Sequence, residues 1–348
     1  MAQTEILRGD VKAVQRWSRM LVQEFIGETF FKRFMGKSDG SIIQVHQDLS
    51  SGPGDTIKYD LLVKIPGYGV KGAARLKGQE KAMTYHQDSL GIEQLREGVN
   101  WDTMSQQRTV HDFLMDSTRN LGLFFARVHD ELMFAHLVGN VGDNATLSTE
   151  LGTFGGNTIV AQDAAHRIDN SGTPMSIDFI RQCKEKAYLL EPMVRPVRVD
   201  GEDKYVLVMR PEQVTSLKNE SGTAKWREIT ALARERGSKN PVYTGALGEF
   251  DNVVLHESRH LPRTNSTNLN YATFLGAQAG HVAFGQRYEK IGSRPKETKE
   301  LFSMFDDVDD YGDKIGIAGA TIFGVKRAIF NSATYGCINL ETTDAQAS

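Results

Sequence analysis

The sequence predicts an α+β fold, and three observations carry that prediction. From Thr103 to Asn140 apolar residues recur at spacings of three and four, as on one long amphipathic helix. Residues 41 to 100 are rich in glycine, hold no helical pattern for long, and contain an alternating strand. Residues 204 to 210, KYVLVMR, form a continuous apolar run, as in a strand buried on both faces.

Bulk composition narrows the class. A length of 348 residues suggests about two domains. Forty per cent apolar and 24% charged residues are ordinary globular values, enough for a sizeable core. A net charge of −3 excludes a chain that is basic throughout and binds nucleic acid by that alone. Two cysteines, Cys183 and Cys337, exclude a disulfide framework or a cysteine zinc cluster. No stretch approaches the roughly 18 apolar residues of a membrane span, so no membrane is expected.

The N-terminal region, 10 to 35, reads as helix. Asp10 can cap it, and Val14, Trp17, Leu21, Val22 and Phe25 keep helical spacing. Arg8, Lys12, Arg16 and Arg19 fall on other faces and read as a solvated surface. Gly36 to Ser41 is a break. Ile57, Tyr59, Leu61, Val63 and Ile65 then alternate with Lys58, Asp60 and Lys64, a strand over 56 to 65 that Pro66-Gly67 ends. About 50 residues without a helix are uncommon inside a compact domain, so a projecting β-arm is expected here.

The long helix carries Val110, Phe113, Leu114, Leu121, Phe124, Phe125, Val128, Leu132 and Ala135 on one stripe. Thr103 with Gln106 fits a capping box, and Gly139-Asn140 fits a stop. Some 35 residues at 1.5 Å would span about 50 Å. Gly122, in mid-helix, predicts a bend or a close contact.

Further along, a helix is expected over 176 to 190, with Ser176 as cap. Helices are also expected over 211 to 218 and 224 to 236, the latter with Trp226, Ile229 and Leu232. Strands are expected within 240 to 258, at 271 to 276 and at 280 to 288, with a loop at 264 to 270. The acidic run 306 to 313 reads as a turn. Two closing strands, 314 to 323 and 325 to 330, follow it, and the last ten residues read as a frayed polar tail.

The search for chemistry yields three motifs. Residues 256 to 260, HESRH, match H-E-x-x-H, which on a helix places two zinc-binding histidines one turn apart beside a glutamate base. A zinc-dependent hydrolase using His256, Glu257 and His260 is the alternative this motif keeps open. His281 and Glu289 would be conceivable further ligands. Its context is a strand, with Val253, Val254 and Leu255 before it and Pro262 after. On a strand the two histidines would stand roughly 13 Å apart, too far to share one metal. GYGVKG, 67 to 72, matches G-x-G-x-x-G but opens no helix, so it lacks the amide cradle for a pyrophosphate. FDDVDDYGD, 305 to 313, lacks the spacing and terminal glutamate of a calcium loop. His111, His129 and His136 lie on the long helix without the pattern of a site. No catalytic, cofactor-binding or metal residue is assigned, and no cofactor is expected.

The order of helix, β-arm, long helix and mixed region resembles the major capsid proteins of tailed bacteriophages, with their HK-97-like fold. Several stretches look like the podophage N-four-like family: SIIQVHQDLSSGPGDTIKYDLL (41 to 62), GYGVKGAARLKGQE (67 to 80), DELMFAHLVGN (130 to 140), KYVLVMRPEQVTSLK (204 to 218) and NPVYTGALGEFDNVVLHESRHLP (240 to 262). The resemblance covers nearly the whole chain. It implies an N-terminal arm (1 to 50), an extended loop (51 to 100) and a peripheral domain with a spine helix (101 to 190). An axial domain (191 to 300, mostly) would follow, then return strands and a tail (301 to 348).

The implied role is structural. Copies would form hexamers and pentamers and close an icosahedral shell, in the virion, around packaged double-stranded DNA read without sequence specificity. Scaffolding, portal and decoration proteins would be separate partners. Another phage structural role, in tail or connector, is the second alternative. Pro66, Gly67, Tyr68, Gly69, Val70 and Lys71, at the end of the extended loop, would contact a neighbouring subunit. The crosslinking of some members of the fold is not carried over, because no motif here maps onto its residues.

Overall fold

The computed structural model of the chain describes residues 21–25, 27–46, 54–62, 69–72, 75–199, 201–220, 247–285, 287–291, 294–298, 302–309 and 313–343. Helix α1 occupies residues 21–25 and 27–28 and buries Leu21 and Phe25; the earlier part of the expected N-terminal helix lies outside the described residues. A 3-10 turn, Phe30–Phe34, is held by a buried carboxylate: the Phe30 and Phe31 amides donate to Asp130 at 2.7 and 3.4 Å.

Strands β1 (Met35–Gly36) and β2 (Ile43–His46) lead to an antiparallel hairpin, β3 (Thr56–Leu62) and β4 (Tyr85–Gly91). This hairpin lies where the arm is expected, and we call it the arm; Val63 and Ile65 lie outside the described residues. Strand β5 (Glu93–Asp102) follows at once. It leaves the arm and pairs along the main body.

The single helix expected over 103 to 140 is two helices, α2 (Thr103–Arg108) and α3 (Phe113–Val138). Two aspartates start the two helices, and the second of them lies in the break. Asp102, not Thr103, caps α2 by accepting from the Ser105 amide at 2.5 Å. Asp112 caps α3 by accepting from Leu114 and Met115 at 3.0 and 3.4 Å. Val110, expected on the buried stripe, is fully exposed in the turn between them. The 26 residues of α3 span about 39 Å. Its stop is the expected one: Gly139 takes φ +75° and its amide donates to Ala135 O. Gly122 also meets its expectation, because a Cβ there would lie 2.8 Å from Glu24 Cβ where α1 crosses.

The chain continues through α4 (Ala145–Leu151), the small hairpin β6 (Thr153–Phe154) and β7 (Asn157–Thr158), β8 (Arg167–Pro174) and α5 (Ile177–Leu189). Next come β9 (Val197–Val199), β10 (Glu202–Met209) and α6 (Pro211–Asn219). The helix expected at 224 to 236 lies outside the described residues. Then follow β11 (Gly248–Phe250), β12 (Val253–Glu257), β13 (Arg263–Thr264), β14 (Leu269–Leu275), β15 (Gly280–Phe284), β16 (Arg287–Ile291) and β17 (Arg294–Thr298). The last strands are β18 (Phe302–Asp309), β19 (Lys314–Arg327), β20 (Ile329–Phe330), β21 (Ala333–Thr334) and β22 (Cys337–Thr343).

Three closing expectations are corrected. Phe305 to Asp309, read as part of a turn, belongs to β18. The two closing strands divide elsewhere than expected: β19 runs unbroken over 14 residues to Arg327, and Ile329–Phe330 forms β20. The tail read as frayed holds β22, a buried strand between β14 and β8.

Two large sheets result. A six-stranded sheet orders β1-β2-β15-β19-β18, with β5 also on β19. An eight-stranded sheet orders β11-β12-β10-β14-β22-β8, with β13 on β14 and β9 on β10. Helix α3 ties them together. Its first half packs Leu121, Phe125 and Ala126 on Leu21, Phe25, Phe302, Met304 and Ile317. Its second half packs in one cluster with Val282 and Val325 from one sheet and Val206 and Val208 from the other. The opposite face of the eight-stranded sheet buries Tyr205, Leu207 and Met209 with Ile180 and Cys183 of α5 and Val214 and Leu217 of α6. Side-chain alternation thus sends the second half of β10 into two cores, which is why Tyr205 to Met209 are apolar without a break.

Buried polar groups of β22 find partners far along the chain, although Asn339 Oδ1 finds none among the described residues. Arg167 Nη2 donates to Glu341 at 2.6 Å, and Gln213 Nε2 donates to Thr342 Oγ1 at 2.8 Å. The Asn339 amide donates to Gln162 Oε1 at 2.9 Å. A strand so satisfied pairs centrally without apolar residues at every position.

Candidate assembly surfaces

The arm is fixed at its root by backbone packing. Gly91, where β4 turns into β5, is buried, and the Asn157 amide grips both its main-chain groups. Asn157 Oδ1 accepts from the Gly91 N–H at 3.0 Å, and Nδ2 donates to the Gly91 carbonyl at 2.8 Å. A Cβ on Gly91 would stand 1.9 Å from the Gly155 carbonyl oxygen, and one on Gly324 would stand 1.9 Å from the Gly91 oxygen. Glu93 holds the Gly155 amide at 2.7 Å, and the Ile92 amide donates to Asp55 O. Three glycines from β19, from the root and from the β6–β7 turn therefore cross in van der Waals contact.

A polar cluster makes a second anchor. Asp88 on β4 accepts from the Tyr59 hydroxyl at 2.8 Å, from the Ile329 amide at 3.3 Å and from Lys326 Nζ. Lys326 also donates to Ser89 O at 2.8 Å. Burial, then Asp88, pushes the Tyr59 hydroxyl well above its ordinary range. Its ring lies 4.0 Å from that of His281 and stacks nearly parallel on His46 at 5.7 Å. The two imidazoles are bonded, His46 Nε2 to His281 Nδ1, at 3.0 Å. Burial chiefly, then His46, with Lys326 adding and Asp88 opposing, depresses His281 to about 3. Burial, then Arg327 and Lys326, does the same to His136 on α3, also to about 3.

These two rings predict an acid sensitivity. Both are neutral in the folded chain, whereas the unfolded chain takes up their protons near pH 6.5. The folded state binds fewer protons between those values, so stability is full above pH 6.5 and falls as pH drops towards 3. By pH 4.5 each ring is expected to have withdrawn about 2 to 3 kcal/mol. Urea midpoints at pH 7.5 and pH 4.5 measure the loss, and His136→Gln should retain about half of it. An unchanged midpoint at pH 4.5 would overturn the assignment.

Between β3 and β4 the described residues include three glycines with open space around them. Gly69, Gly72 and Gly78 take φ of +83°, +67° and +93°, and a Cβ at any of them would meet nothing within 4 Å. Of the residues expected to contact a neighbour, Gly69 and Lys71 are exposed and Val70 is half-buried; Pro66, Gly67 and Tyr68 lie outside the described residues. No helix follows the glycine motif among the described residues to 84, so a phosphate cradle has no dipole behind it. Lys71, Arg75, Lys77 and Lys81 are exposed there, beside Leu76 and Met83, each 60% exposed, and Tyr85.

The HESRH segment is not on a helix. His256 lies on β12 opposite Val208, buried edge-on against Phe34 at 5.2 Å. Glu257 ends the strand, exposed, and His260 sits in the next turn with Nδ1 3.7 Å from Glu131 Oε1. His281 belongs to the arm's root, and the Glu289 side chain lies outside what is described. His129, on α3, is buried against Phe25 and Phe323, whereas His111, expected on the same helix, lies in the turn before it, exposed 3.7 Å from Asp116. Among the described residues no three His, Cys, Asp or Glu side chains gather in a way that could hold a metal.

The residues that fix the arm, Asp88, Asn157 and Lys326, are absent from the sequence reading. The one signal available was the pair Gly155-Gly156 just before Asn157, a turn with room for a close backbone approach.

Known proteins place this architecture. The capsid of Ralstonia phage GP4 superposes with a TM-score of 0.79 at 30% identity, covering 100% of both chains. The Cyanophage Pam1 capsid shares the fold at 16% identity, with a TM-score of 0.67 over 99% of this chain and 95% of that one. The major capsid protein of Pseudomonas phage KPP25 is 24% identical over 368 residues, 93% of each chain. These likenesses give the chain an HK-97-like α+β capsid fold. The family model described as phage capsid protein matches residues 5–347, so the chain belongs to the phage capsid protein family.

Proposed function

We propose that this capsid protein assembles as hexamers and pentamers into an icosahedral shell that encloses double-stranded DNA. The observation that carries the proposal is the full-length likeness to the Ralstonia phage GP4 capsid. In this reading the eight-stranded sheet with α5 and α6 is the axial domain around each capsomer centre. The six-stranded sheet with α3 is the peripheral domain, and the β3–β4 arm reaches a neighbouring subunit. Assembly takes place in the host bacterial cytoplasm, with scaffolding, portal and decoration proteins as separate partners. A mildly acidic chain suits a shell that confines DNA without gripping it. Modest contacts repeated over large interfaces stabilise a closed assembly.

Expression of the chain, alone and with its scaffolding protein, followed by negative-stain electron microscopy and sedimentation, tests the proposal. Closed shells or free capsomers are expected. Tubes or open rings would point to a tail or connector role. A monomer with stoichiometric zinc, lost in His256→Ala, would restore the hydrolase. Deleting 66 to 79 is expected to leave a folded subunit, by circular dichroism and thermal melting, that forms no shells. Normal shells from the deletion would remove the arm's tip from assembly.

A further inference from the structure

A polar cleft lies between the helices on the six-stranded sheet and the loops of the eight-stranded one. One wall is α3 at Glu131 and the segment that enters α4, with Asn144 and Leu147. The other is Arg210, between β10 and α6, and the 259–265 loop between β12 and β13. The cleft encloses about 310 Å³. That is the lower end of the roughly 300 to 1,000 Å³ of small-ligand sites, which favour the junctions of structural units.

Main-chain bonds fix its walls. The Asp143 amide donates to Arg263 O at 2.8 Å, and the Asn265 amide donates to Asp143 Oδ2 at 2.6 Å. A Cβ on Gly142 would lie 2.2 Å from Arg263 O, so the two segments touch. Arg210 Nη1 donates to Arg259 O at 3.2 Å and to Leu261 O at 2.5 Å, which holds the start of the loop. The shape of the cleft therefore exists before any ligand arrives.

Its charges are unevenly committed. Arg210 grips Glu212 with Nε and Nη2, both at 3.1 Å, and Arg263 Nη1 reaches the same carboxylate at 3.2 Å. Glu131 has Arg127 Nε at 3.9 Å and His260 Nδ1 at 3.7 Å. Among these groups four cations, Arg127, Arg210, Arg259 and Arg263, meet three anions, Glu131, Asp143 and Glu212, in a chain of net charge −3. The surplus is Arg259. It is exposed, and its guanidinium bonds no side chain among the described residues. Neutral donors stand beside it. Asn144 Oδ1 caps α4 by accepting from the Leu147 amide at 3.1 Å, which leaves Nδ2 to donate elsewhere, and Asn265 is exposed on the loop. Leu261 and Pro262, both buried, give the lining an apolar part.

We infer that this cleft binds a phosphate group, with Arg259 as its charged clamp and Asn144 and Asn265 as neutral donors. A guanidinium offers a planar fork that meets two phosphate oxygens at once. Three separate donor groups suit an anion of three or four oxygens better than a carboxylate of two. The apolar part of the lining suits the sugar or base that a nucleotide carries beside its phosphate. The group can come from a DNA backbone or from a free nucleotide, and the chemistry of capture is the same. The inference goes beyond the shell reading and does not rest on it. With DNA as the source, the cleft marks the face of the subunit that meets the packaged chain.

Titration of the full-length chain at constant ionic strength, read by calorimetry and by thermal melting, tests the site. The probes are inorganic phosphate, deoxyadenosine monophosphate and a short DNA duplex, with acetate as the carboxylate control. Saturable binding of the monophosphate is expected, with a Kd of about 1 mM or tighter. Arg259→Ala should weaken it at least about tenfold and Asn265→Ala about threefold, because charged hydrogen bonds are the stronger. Arg259→Lys, which keeps the charge without the fork, should fall between Arg259→Ala and the unmodified chain. Arg119→Ala, an exposed arginine elsewhere on α3, should change nothing. Duplex binding that Arg259→Ala removes would name DNA as the source, and monophosphate binding without duplex binding would name a free nucleotide; either supports the site. Binding that survives Arg259→Ala, that Arg119→Ala lowers equally, or that acetate matches would overturn it, as would no saturable binding of any phosphate probe. These readings come from the subunit itself, so a chain that forms no shell would overturn the shell reading and leave this one to its own result.

Discussion

Gly91→Ala is expected to leave little or no soluble, folded subunit. The added Cβ would sit 1.9 Å from the Gly155 carbonyl oxygen and 3.0 Å from its carbon. Neither neighbour is the end of a flexible side chain. Gly155 occupies φ +62° with its amide held by Glu93, and Gly91 cannot retreat, because the Asn157 amide holds its N–H and its carbonyl together. On the other side a Cβ on Gly324 of β19 would lie 1.9 Å from the Gly91 oxygen, so any shift drives one main chain into another. Overpacking a core costs roughly 1 to 3 kcal/mol when side chains can yield. Here backbone must yield, and a cost above about 4 kcal/mol is expected, most of the margin of a weakly stable domain. Gly324→Ala should behave alike. Gly172→Ala is the control: nothing lies within 4 Å of its Cβ position, and its φ is not in the left-handed range. It should change stability by less than about 1 kcal/mol. Soluble yield and urea midpoints decide the matter, and a stable Gly91→Ala protein would mean that the arm's root relaxes freely.

What could be read from sequence followed the range of the interactions. The α+β class, the arm, most of the spine helix and β10 were legible because their patterns are local. Helix α3 repeats its buried face every three or four residues, and β10 is apolar from Tyr205 to Met209 because that half enters two cores. The break at 109–112 was not legible. Val110 is apolar and fits the helical spacing, yet Asp112, bonded to the amides two and three residues on, begins a new helix after it. Strand β5 shows little burial pattern, since only Leu95 and Trp101 are not exposed, so its place along β19 is set by pairing. Strand β22 was misread for the opposite reason. Asn339, Glu341 and Thr342 look like a solvated tail, but their partners stand 177, 174 and 129 residues earlier.

The same logic governs the assembly surfaces. Cations and glycines at 69–81 are visible as composition. What makes them a tip is the crossing of Gly91, Gly155 and Gly324 and the Asp88 cluster, which exist only in the fold. The HESRH motif shows the converse. Its letters match a metal site, but strand geometry sends His256 into a phenylalanine pocket and leaves His260 in a turn.

Arg327→Met is expected to destabilise the subunit by about 3 kcal/mol, through the C-terminal end of the spine helix. Arg327, the last residue of β19, is 2% exposed and bonds no carboxylate among the described residues. Its Nη1 donates to His136 O at 3.3 Å, and its Nη2 to Val160 O and Ala161 O at 3.0 and 3.3 Å. The cation therefore meets the negative end of α3 and two loop carbonyls that face the same point. Burial lowers its affinity for the proton, while Cys337 and Asp163 oppose that loss. Methionine fills similar volume but leaves three carbonyls without a donor, each worth about 1 kcal/mol or more, and removes the helix-end attraction of roughly 0.3 to 1 kcal/mol. Against this stands recovery of the guanidinium's desolvation, incomplete in any case because Nε finds no acceptor. Arg327→Lys separates charge from geometry. An ammonium keeps the attraction to the helix end but cannot fork across three carbonyls, so its loss should fall between the other two. Gly139 reports the same crowding, for a Cβ there would lie 2.4 Å from Val160 O and 2.9 Å from Arg327 Nη1. Urea denaturation should show lower midpoints at unchanged slope, ordered Arg, Lys, Met. Equal stability of the Met and Arg proteins would mean that desolvating the guanidinium costs as much as its three hydrogen bonds return, and that Gly139 together with Gln162, whose Nε2 donates to Leu137 O at 2.7 Å, suffices to fix the helix end.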